Sequence, residues 1–588
     1  MCSSDLDLAW RNLGPANPMG RVTDIEVVRQ HQNTWYIGTG GGGVFKTTNA
    51  GTTWQNVFDR YGTVSIGDVA VAPSNPDIVW VGTGEENARN SVQWGDGVYK
   101  STDGGKSFEN VGLRQSFQIG HIAIHPTNPD IVYVAALGRL WGENEERGVF
   151  RTRDGGKSWD KVLYLDDKTG CIDVRVDPQK PEFVYACMYE RKRNIYDDND
   201  PSVRFGKGSG LFTSKDGGEN WIQAKNGLPS CLWGRSGIDI LESKPETLFL
   251  IVESERSGWA TGSRKDRQAG DPTPPDEQGR GQRGGQGGGQ GGGPGGQGQQ
   301  QRNQRGTAVM GIGSTGTDGK PDAPGAVLTT LTEGGAAITA GLKVGDRITK
   351  IDEEDVATYL DLTEIVQDSR AEQKVKVTYV RGGNTATLDL TYGRRDLPGA
   401  VPLGGGNGPY SSRLFGQTEN KQKLQGKDGF ETGGVFRSDD RGETWTRVNS
   451  LTERPFYYSV IRVDPRDGKN IYCVGTTLWG TSDGGEKFAA INRNIHVDFH
   501  AIWVDPDDSD HLLAGCDGGV NETFDRGKNW QVMAGYSAAQ FYDIVADNSV
   551  PYNVIGGLQD NGEWIGPSRT RNREGITNHD WSTLWGGD

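Results

Sequence analysis

Three acidic positions in this chain have a setting suited to acid–base chemistry. Asp560 stands in Gln559-Asp560-Asn561-Gly562, Asp498 in the run His496-Val497-Asp498-Phe499-His500, and Glu85 beside Glu86 after Gly84. A carboxylic acid and a carboxylate about 6.5–9.5 Å apart can hydrolyse a sugar linkage with inversion, because a water then fits between them. Asp560 would be the acid of such a pair, with Asp498 or Glu85 as its base. The triplet allows a second chemistry. Period two on a strand sets His496, Asp498 and His500 on one side, as a divalent-metal or acid/base cluster requires. Only one such triplet occurs and no fourth ligand is evident. A hydrogen-bonded structural cluster is therefore the reading, with no metal and no cofactor expected.

Other candidates cluster between apolar runs. Glu85, Glu86, Glu143, Asp197 and Asp198 supply acids, and Arg89, Arg139, Arg191 and Arg193 supply bases. Trp94, Trp141 and Trp479 could stack on sugars or anchor peptides. A further set, Asp24, Asp68, Asp173, Asp239 and Asp543 with His121, recurs at a similar register. Repeated polar residues of this kind read as ties between neighbouring elements.

The elements that carry these residues are repeats. One octamer recurs: a small hydroxyl residue, any residue, Asp, any, Gly, any, a polar residue and an aromatic. It occupies 101–108, 152–159, 214–221, 438–445, 481–488 and 523–530, with a degenerate copy at 47–54 in which Asn49 replaces the Asp. Before each copy lies a β-rich run such as Gly97-Val98-Tyr99-Lys100, and further upstream a turn and another strand. The unit is four short strands, a propeller blade. Successive box aromatics are 54, 51, 62, 224, 43 and 42 residues apart. The long gap holds one blade and an insertion. Within the insertion, 254–305 is a Gly/Gln-rich linker, 306–392 regains apolar periodicity, and 393–432 is a second linker. Arg280, Arg283, Arg302 and Arg305 in the first linker faintly suggest an RNA contact, but a solvated linker is the better reading. The second-to-third strand loops, 40–43, 84–96, 137–147, 189–209 and the insertion itself, vary in length and share one face. Binding concentrates on such faces.

Composition narrows the function. With 63 Lys and Arg against 78 Asp and Glu, the net charge of −15 argues against nucleic acid as a partner. No apolar run is long enough to span a membrane. The six cysteines form no CxxC pair, although Cys171 and Cys187 could face one another across a hairpin. Met1–Leu6 reads as an artefactual tail, so a signal peptide would not be visible.

The octamer resembles the Asp-box, or BNR repeat, of sialidases, sortilin/Vps10 domains, family 74 xyloglucan-cleaving hydrolases and photosystem assembly propellers. Trp10-Arg11-Asn12-Leu13-Gly14-Pro15, Gly20-Arg21-Val22-Thr23-Asp24 and the Gly556–Gly562 stretch resemble bacterial exported sortilin-like proteins labelled glycosyl hydrolase. The resemblance implies an all-β propeller, seven-bladed with eight or more blades as the alternative. Residues 10–253 would form blades one to five in part, and 433–588 the rest of blade five, blades six and seven, and the start of a further blade. It also implies an extracytoplasmic location and a structural role for Asp103, Asp154, Asp216, Asp440, Asp483 and Asp525. The xyloglucan-cleaving family carries a catalytic Asp where Gly40 stands, which argues against that chemistry here. Residues 306–392 resemble a small α+β PDZ domain, chiefly through Ala340-Gly341-Leu342-Lys343-Val344-Gly345-Asp346. Val309, Met310, Gly311 and Ile312 match its carboxylate-binding loop, and Tyr359–Gln367 its groove helix. The expectation is an exported binding or scaffold protein for peptide C-termini or extracellular peptides and glycans. An inverting, xyloglucanase-like hydrolase using Glu85, Asp498 and Asp560 is the alternative. For recognition, the propeller face would offer Glu85, Glu86, Arg89, Trp94, Trp141, His496 and His500.

Overall fold

The computed structural model describes residues 13–14, 19–89, 91–195, 197, 201, 203–255, 307–313, 324–332, 334–357, 359–369, 373–395, 429–573 and 575–585. It comprises two compact units, Met1–Gly288 with Leu403–Asp588, and Gly289–Pro402.

Four-stranded antiparallel sheets build the first unit, each running from its first strand to its fourth in chain order. Seven of them, at 22–56, 66–112, 119–163, 169–223, 233–254 with 434–449, 461–490 and 499–533, form a ring of blades. Each first strand packs on that of the next blade, and Val22–Val27 of the first packs on Phe499–Val504 of the seventh. There Val22, Ile25 and Trp35 share a core with Ala501, Leu513 and Met533. Second strands such as Trp35–Thr39 and Val79–Thr83 are buried along their whole length. They end on small residues because blades approach closely: a Cβ on Gly82 would lie 2.5 Å from Ile119 Cγ2 of the next blade.

The box closes each blade's third-to-fourth strand turn. Asp103 Oδ1 accepts from Ser101 Oγ (2.7 Å) and from the N–H groups of Lys106 and Ser107 (2.9 Å each). Asp154, Asp216, Asp440, Asp483 and Asp525 repeat the pattern, and Asn49 preserves it with its amide oxygen (2.9 Å to Thr53 N). The box aromatic docks outward: Trp159 Nε1 donates to Val111 O of the preceding blade (2.8 Å).

At the inner edge, carboxylates fasten blade to blade. Asp24, Asp68, Asp173 and Asp239 accept the N–H groups of Val69, Ile122, Ile238 and Val463 at 2.8–3.1 Å. His121 Nδ1 takes this place in the third blade, 2.8 Å from Val174 O. Burial pushes the Asp24, Asp68 and Asp239 carboxyls up, and Asp68 rises further beside Asp24. Asp543 does not join this set. It lies just before the eighth sheet, is exposed, and among the described residues accepts from its neighbour Ile544 N (2.8 Å).

Among the described residues, that eighth sheet, 545–585, pairs none of its strands with those of the seven blades. Trp581 Nε1 donates to Leu13 O (2.8 Å), and Asn561 Nδ2 to Asp517 O of blade seven (2.9 Å). Cys171 and Cys187 are free thiols on opposite faces of blade four, one packed with Met188 and the other with Tyr185, so strand alternation excludes the hairpin pairing.

In the second unit, strands Ala326–Val327, Arg347–Ile351, Glu354–Asp355, Lys374–Arg381 and Asn384–Thr391 form one sheet. With helices Ala336–Ala340 and Tyr359–Asp368 they enclose a separate apolar core that includes Met310, Leu342, Leu362 and Val377. Gly341 caps the first helix in the left-handed region (φ +99°), as its place in Ala340-Gly341-Leu342 requires.

Two predictions follow from the ring. Asp68→Ala leaves a buried N–H unpaired and should cost about 1–3 kcal/mol in urea unfolding, whereas Asp543→Ala should change stability by no more than about 0.5 kcal/mol. His511 lies between Asp505 Oδ2 (2.8 Å) and Glu522 Oε1 (3.1 Å). Burial opposes its charge, but the two carboxylates outweigh it and raise its pKa above the ordinary 6.5. Its stabilisation is complete below that value and is lost as pH rises through the higher folded pKa. His511→Gln should therefore lower Tm at about pH 5.5 more than at about pH 8.5.

Candidate functional site

Five buried arginines organise one end of the ring. Arg21, Arg147, Arg191, Arg193 and Arg235 are each less than 2% exposed, and so large a charged group is buried only when paired. Four of them hold the 84–96 loop of blade two. Arg191 Nη1 donates to Glu86 O (3.0 Å) and Arg193 Nε to Ala88 O (2.8 Å), both from blade four. Arg235 of blade five pairs with the Glu86 carboxylate, and Arg21, just before blade one, donates to Glu85 Oε1 (2.7 Å). A loop gripped from blades one, four and five must cross the mouth of the central channel.

At its tip the contacts close into a ring of side chains. Glu85 Oε1 also accepts from Asn87 Nδ2 (2.9 Å), which lies 3.3 Å from His500 Nδ1. His500 Nε2 is 2.9 Å from Asp517 Oδ1, and Asp517 accepts both Nε and Nη2 of Arg21 at 2.8 Å. Burial would push Asp517 up, but Arg21 and His500 hold it well below the carboxylate range. Burial likewise opposes the charge on Arg21, and Asp517 and Glu85 outweigh it.

Two more carboxylates border this ring. Asp498 accepts from Tyr458 OH (2.7 Å), and Asp560 Oδ2 lies 3.8 Å from Arg21 Nη2. Oxygens of Asp498, Asp517 and Asp560 come within 4.8 Å of one another. That spacing is closer than the gap an inverting pair leaves for water.

The predicted residues thus divide. Glu85, Asp498, His500 and Asp560 do converge. His496 reaches the same place differently, with Nε2 3.2 Å from the Asp560 carbonyl. The strand begins at Phe499 and Asp498 sits at φ +64°, so the period-two argument does not govern the triplet. Glu86, Arg191 and Arg193 were expected on a recognition face but are consumed in supporting the loop. Trp479 is buried, donating to Glu453 Oε2 (2.6 Å). Trp94 and Trp141 remain open, 70% and 42% exposed. Arg139 lies over Phe117 and Glu143 faces Lys192, while Asp198 falls outside the described residues. Sequence reasoning missed Arg21 as the hub and Asp517 altogether. The signal available for Asp517 was its place in Cys516-Asp517-Gly518-Gly519, the short second-to-third strand hairpin of blade seven.

In the second unit Gly311 turns at φ +71°, and a Cβ there would meet Gly335 Cα at 2.9 Å. Met310 O accepts from Ala337 N (2.8 Å) and Gly311 O from Thr332 N (2.7 Å), which fixes the turn. Ile312 pairs with Leu331.

Removing the hub should be costly. Arg21→Ala leaves buried carboxylates uncompensated and should destabilise the propeller by about 3–5 kcal/mol in denaturant unfolding. Arg21→Lys should recover little, because a single ammonium cannot meet Asp517 at two points and Glu85 at a third.

Residues 96–268 match the family described as sortilin, neurotensin receptor 3 (Sortilin-Vps10), and residues 308–391 match the PDZ domain family. No curated protein matches the chain. Among solved structures, the chain is similar to the GH74 xyloglucanase from Xanthomonas campestris (15% identity, TM-score 0.30, covering 99% of this chain and 95% of that one). It is also similar to YCF48 from Cyanidioschyzon merolae (11%, TM-score 0.36, 88% and 99%). An HtrA-type protease solved with a decapeptide is similar over 13% of this chain and 23% of its own, at 28% identity and TM-score 0.12. The repeated boxes and the closed ring of four-stranded blades make the chain an Asp-box β-propeller, similar to the sortilin/Vps10 family over residues 96–268, with a PDZ domain inserted in its fifth blade.

Proposed function

We propose that this is an extracytoplasmic binding or scaffold protein whose PDZ domain holds polypeptide C-termini and whose propeller is the platform that carries it. The observation that bears most weight is the pinned turn at Met310-Gly311-Ile312. It stands beside strand Ile312–Gly313 and above a core containing Leu362 and Ile365 of the second helix. A peptide would add as a strand beside Ile312, its terminal carboxylate meeting backbone N–H groups of the turn and its last side chain entering the apolar pocket. Carrying the module on the same chain as a propeller raises the effective concentration of any ligand that both can touch. The sortilin-like match supports the extracytoplasmic location, and no helix among the described residues is long and apolar enough to cross a membrane. The propeller's acids support the same reading from the other side, because Glu85 and Asp517 are committed to Arg21.

A peptide library with free apolar C-termini, titrated by fluorescence anisotropy, tests this. Binding should fall at least tenfold when the best peptide is amidated at its C-terminus, since the carboxylate is the shared feature of all ligands. Gly311→Ala should abolish binding as well. Equal affinity for free and amidated peptides would overturn the proposal. So would release of reducing ends from xyloglucan that Asp560→Ala abolishes, because the acids would then be at work on sugars.

A further inference from the structure

One of the five buried arginines has no share in holding the 84–96 loop. Arg147 gives every side-chain nitrogen to the 137–147 loop and the chain beside it. Nε donates to Asn144 Oδ1 (3.0 Å), and Nη1 to Leu137 O and Lys168 O (3.0 Å each). Nη2 donates to Arg139 O (2.6 Å) and Gly142 O (2.5 Å), the carbonyls on either side of Trp141. A guanidinium leaves water only when such bonds compensate it, yet this one fixes a backbone whose indole stays open to solvent. Asn144 extends the fastening: its Nδ2 donates to Gln115 O (2.7 Å), and Gln115 N donates to Glu146 Oε2 (2.6 Å).

On the adjoining blade Trp94 is held in the same manner, and its ring is more open still. Its carbonyl accepts from Thr63 Oγ1 (3.2 Å), the Gln93 carbonyl from Ser65 Oγ (3.1 Å), and Gly95 N donates to Phe117 O (2.7 Å). Phe117 and Arg139 link the two tryptophans, the guanidinium carbon lying 4.5 Å from the phenyl centre. Phe117 stands at φ +59°, a conformation a bulky residue keeps only where its surroundings impose it, and such strain gathers at ligand sites. Among the described residues no side-chain N–H of Arg139 is hydrogen-bonded, and the amides of Gln93 and Gln115 are exposed and equally unused. The charges beside this strip are paired off: Arg114 lies 3.5 Å from Asp96 and Lys192 3.5 Å from Glu143. Neither sign dominates.

Large apolar rings held rigidly in water mark an interaction site. Here they are flanked by free uncharged amides and one guanidinium, with no net field to attract a charged partner. That set complements a neutral chain with apolar faces and many hydroxyl groups. We infer that this strip of blades two and three binds a neutral oligosaccharide, with Trp94 and Trp141 stacking on sugar rings and Arg139, Gln93 and Gln115 hydrogen-bonding their hydroxyls. Because the backbone under both rings is already fixed, binding orders little of the protein. The inference concerns binding alone, with no bond cleaved, and it is independent of peptide capture by the PDZ domain. It gives the propeller a ligand of its own.

The test titrates the full chain with cellohexaose, xylohexaose, mannohexaose and chitohexaose, read by tryptophan fluorescence and calorimetry. At least one should bind and shift the emission to shorter wavelength. Trp94→Ala and Trp141→Ala should each weaken the best of them by about tenfold or more, and Arg139→Ala by about threefold or more. Phe524→Ala removes an exposed aromatic of a box on the opposite face and should change nothing. The substituted side chains are exposed, so urea midpoints should match the wild type and show that the variants fold. No binding of any of the four sugars by the wild type at about 5 mM would overturn the inference, as would binding that both tryptophan variants retain. A lysine-rich or glutamate-rich hexapeptide that bound more tightly than every sugar, and was lost in the same variants, would assign the strip to peptides and overturn it too. Gly311→Ala should leave the sugar titration unchanged, which separates a failure here from a failure of the PDZ reading.

Discussion

A ring of blades needs a fastening where its first blade meets its last, and here Arg21 provides it. The residue precedes strand Val22–Val27 and grips Asp517 of blade seven with two nitrogens and Glu85 of blade two with a third. Apolar packing of Val22 and Ile25 against Ala501 and Leu513 supplies area at the same seam. Apolar attraction is non-directional, however, and names no particular partner across the seam. A buried fork of hydrogen bonds is not indifferent, since a small displacement strands a charge in a medium that cannot solvate it. Four of the other seams use a weaker form of the same device, one carboxylate on one N–H, where consecutive blades are also joined by chain.

The inserted domain obeys a similar constraint. Blade five is split between Trp233–Ser254 and Gly434–Asn449, yet its strands pair in unbroken register from Val252 with Gly434 to Leu248 with Ser438. A loop of this length costs only slightly more closure entropy than one several-fold shorter, since the cost grows with the logarithm of length. Blade five closes because its two halves bury Leu250, Val252 and Phe436 in one core with Tyr185 and Trp233. The PDZ unit keeps a core of its own, from Met310 to Tyr392, so neither unit depends on the other for its apolar burial.

The fold was legible in the sequence because a repeated turn has a repeated physical requirement. A hydroxyl, an acceptor and a left-handed glycine recur at fixed spacing, and even Asn49 fills the acceptor's role. Chain-local patterns also carried the PDZ unit, through Gly311 and Gly341. The site was only half legible. Asp560, Asp498 and Glu85 could be singled out by type, but whether a carboxylate is free for chemistry is decided by what lies across the channel. Arg191, Arg193 and Arg235 come from blades four and five to hold a loop of blade two, a relation between residues about 105 and 149 positions apart. No local period reports such a contact. The face loops read as open binding elements for the same reason: length variation is visible in one dimension, and the arginines that pin a long loop are not.

The division between scaffold and chemistry follows from burial. At a hydrolytic site two carboxylates need different environments, one raised so that it keeps its proton and one left ionised. In this site the fully buried acids, Glu85 and Asp517, face a guanidinium that holds Asp517 ionised far below neutrality. The carboxyl whose proton is retained longest near the cluster is Glu453, pushed up to about 8 by burial, with the nearby Asp498 adding to the effect. It is spent on Trp479 and on the turn at Thr477. Each of these two acids is committed to partners within the protein, Asp517 to Arg21 and His500 and Glu453 to Trp479 and Thr477, so neither stands free opposite the other as such a pair requires.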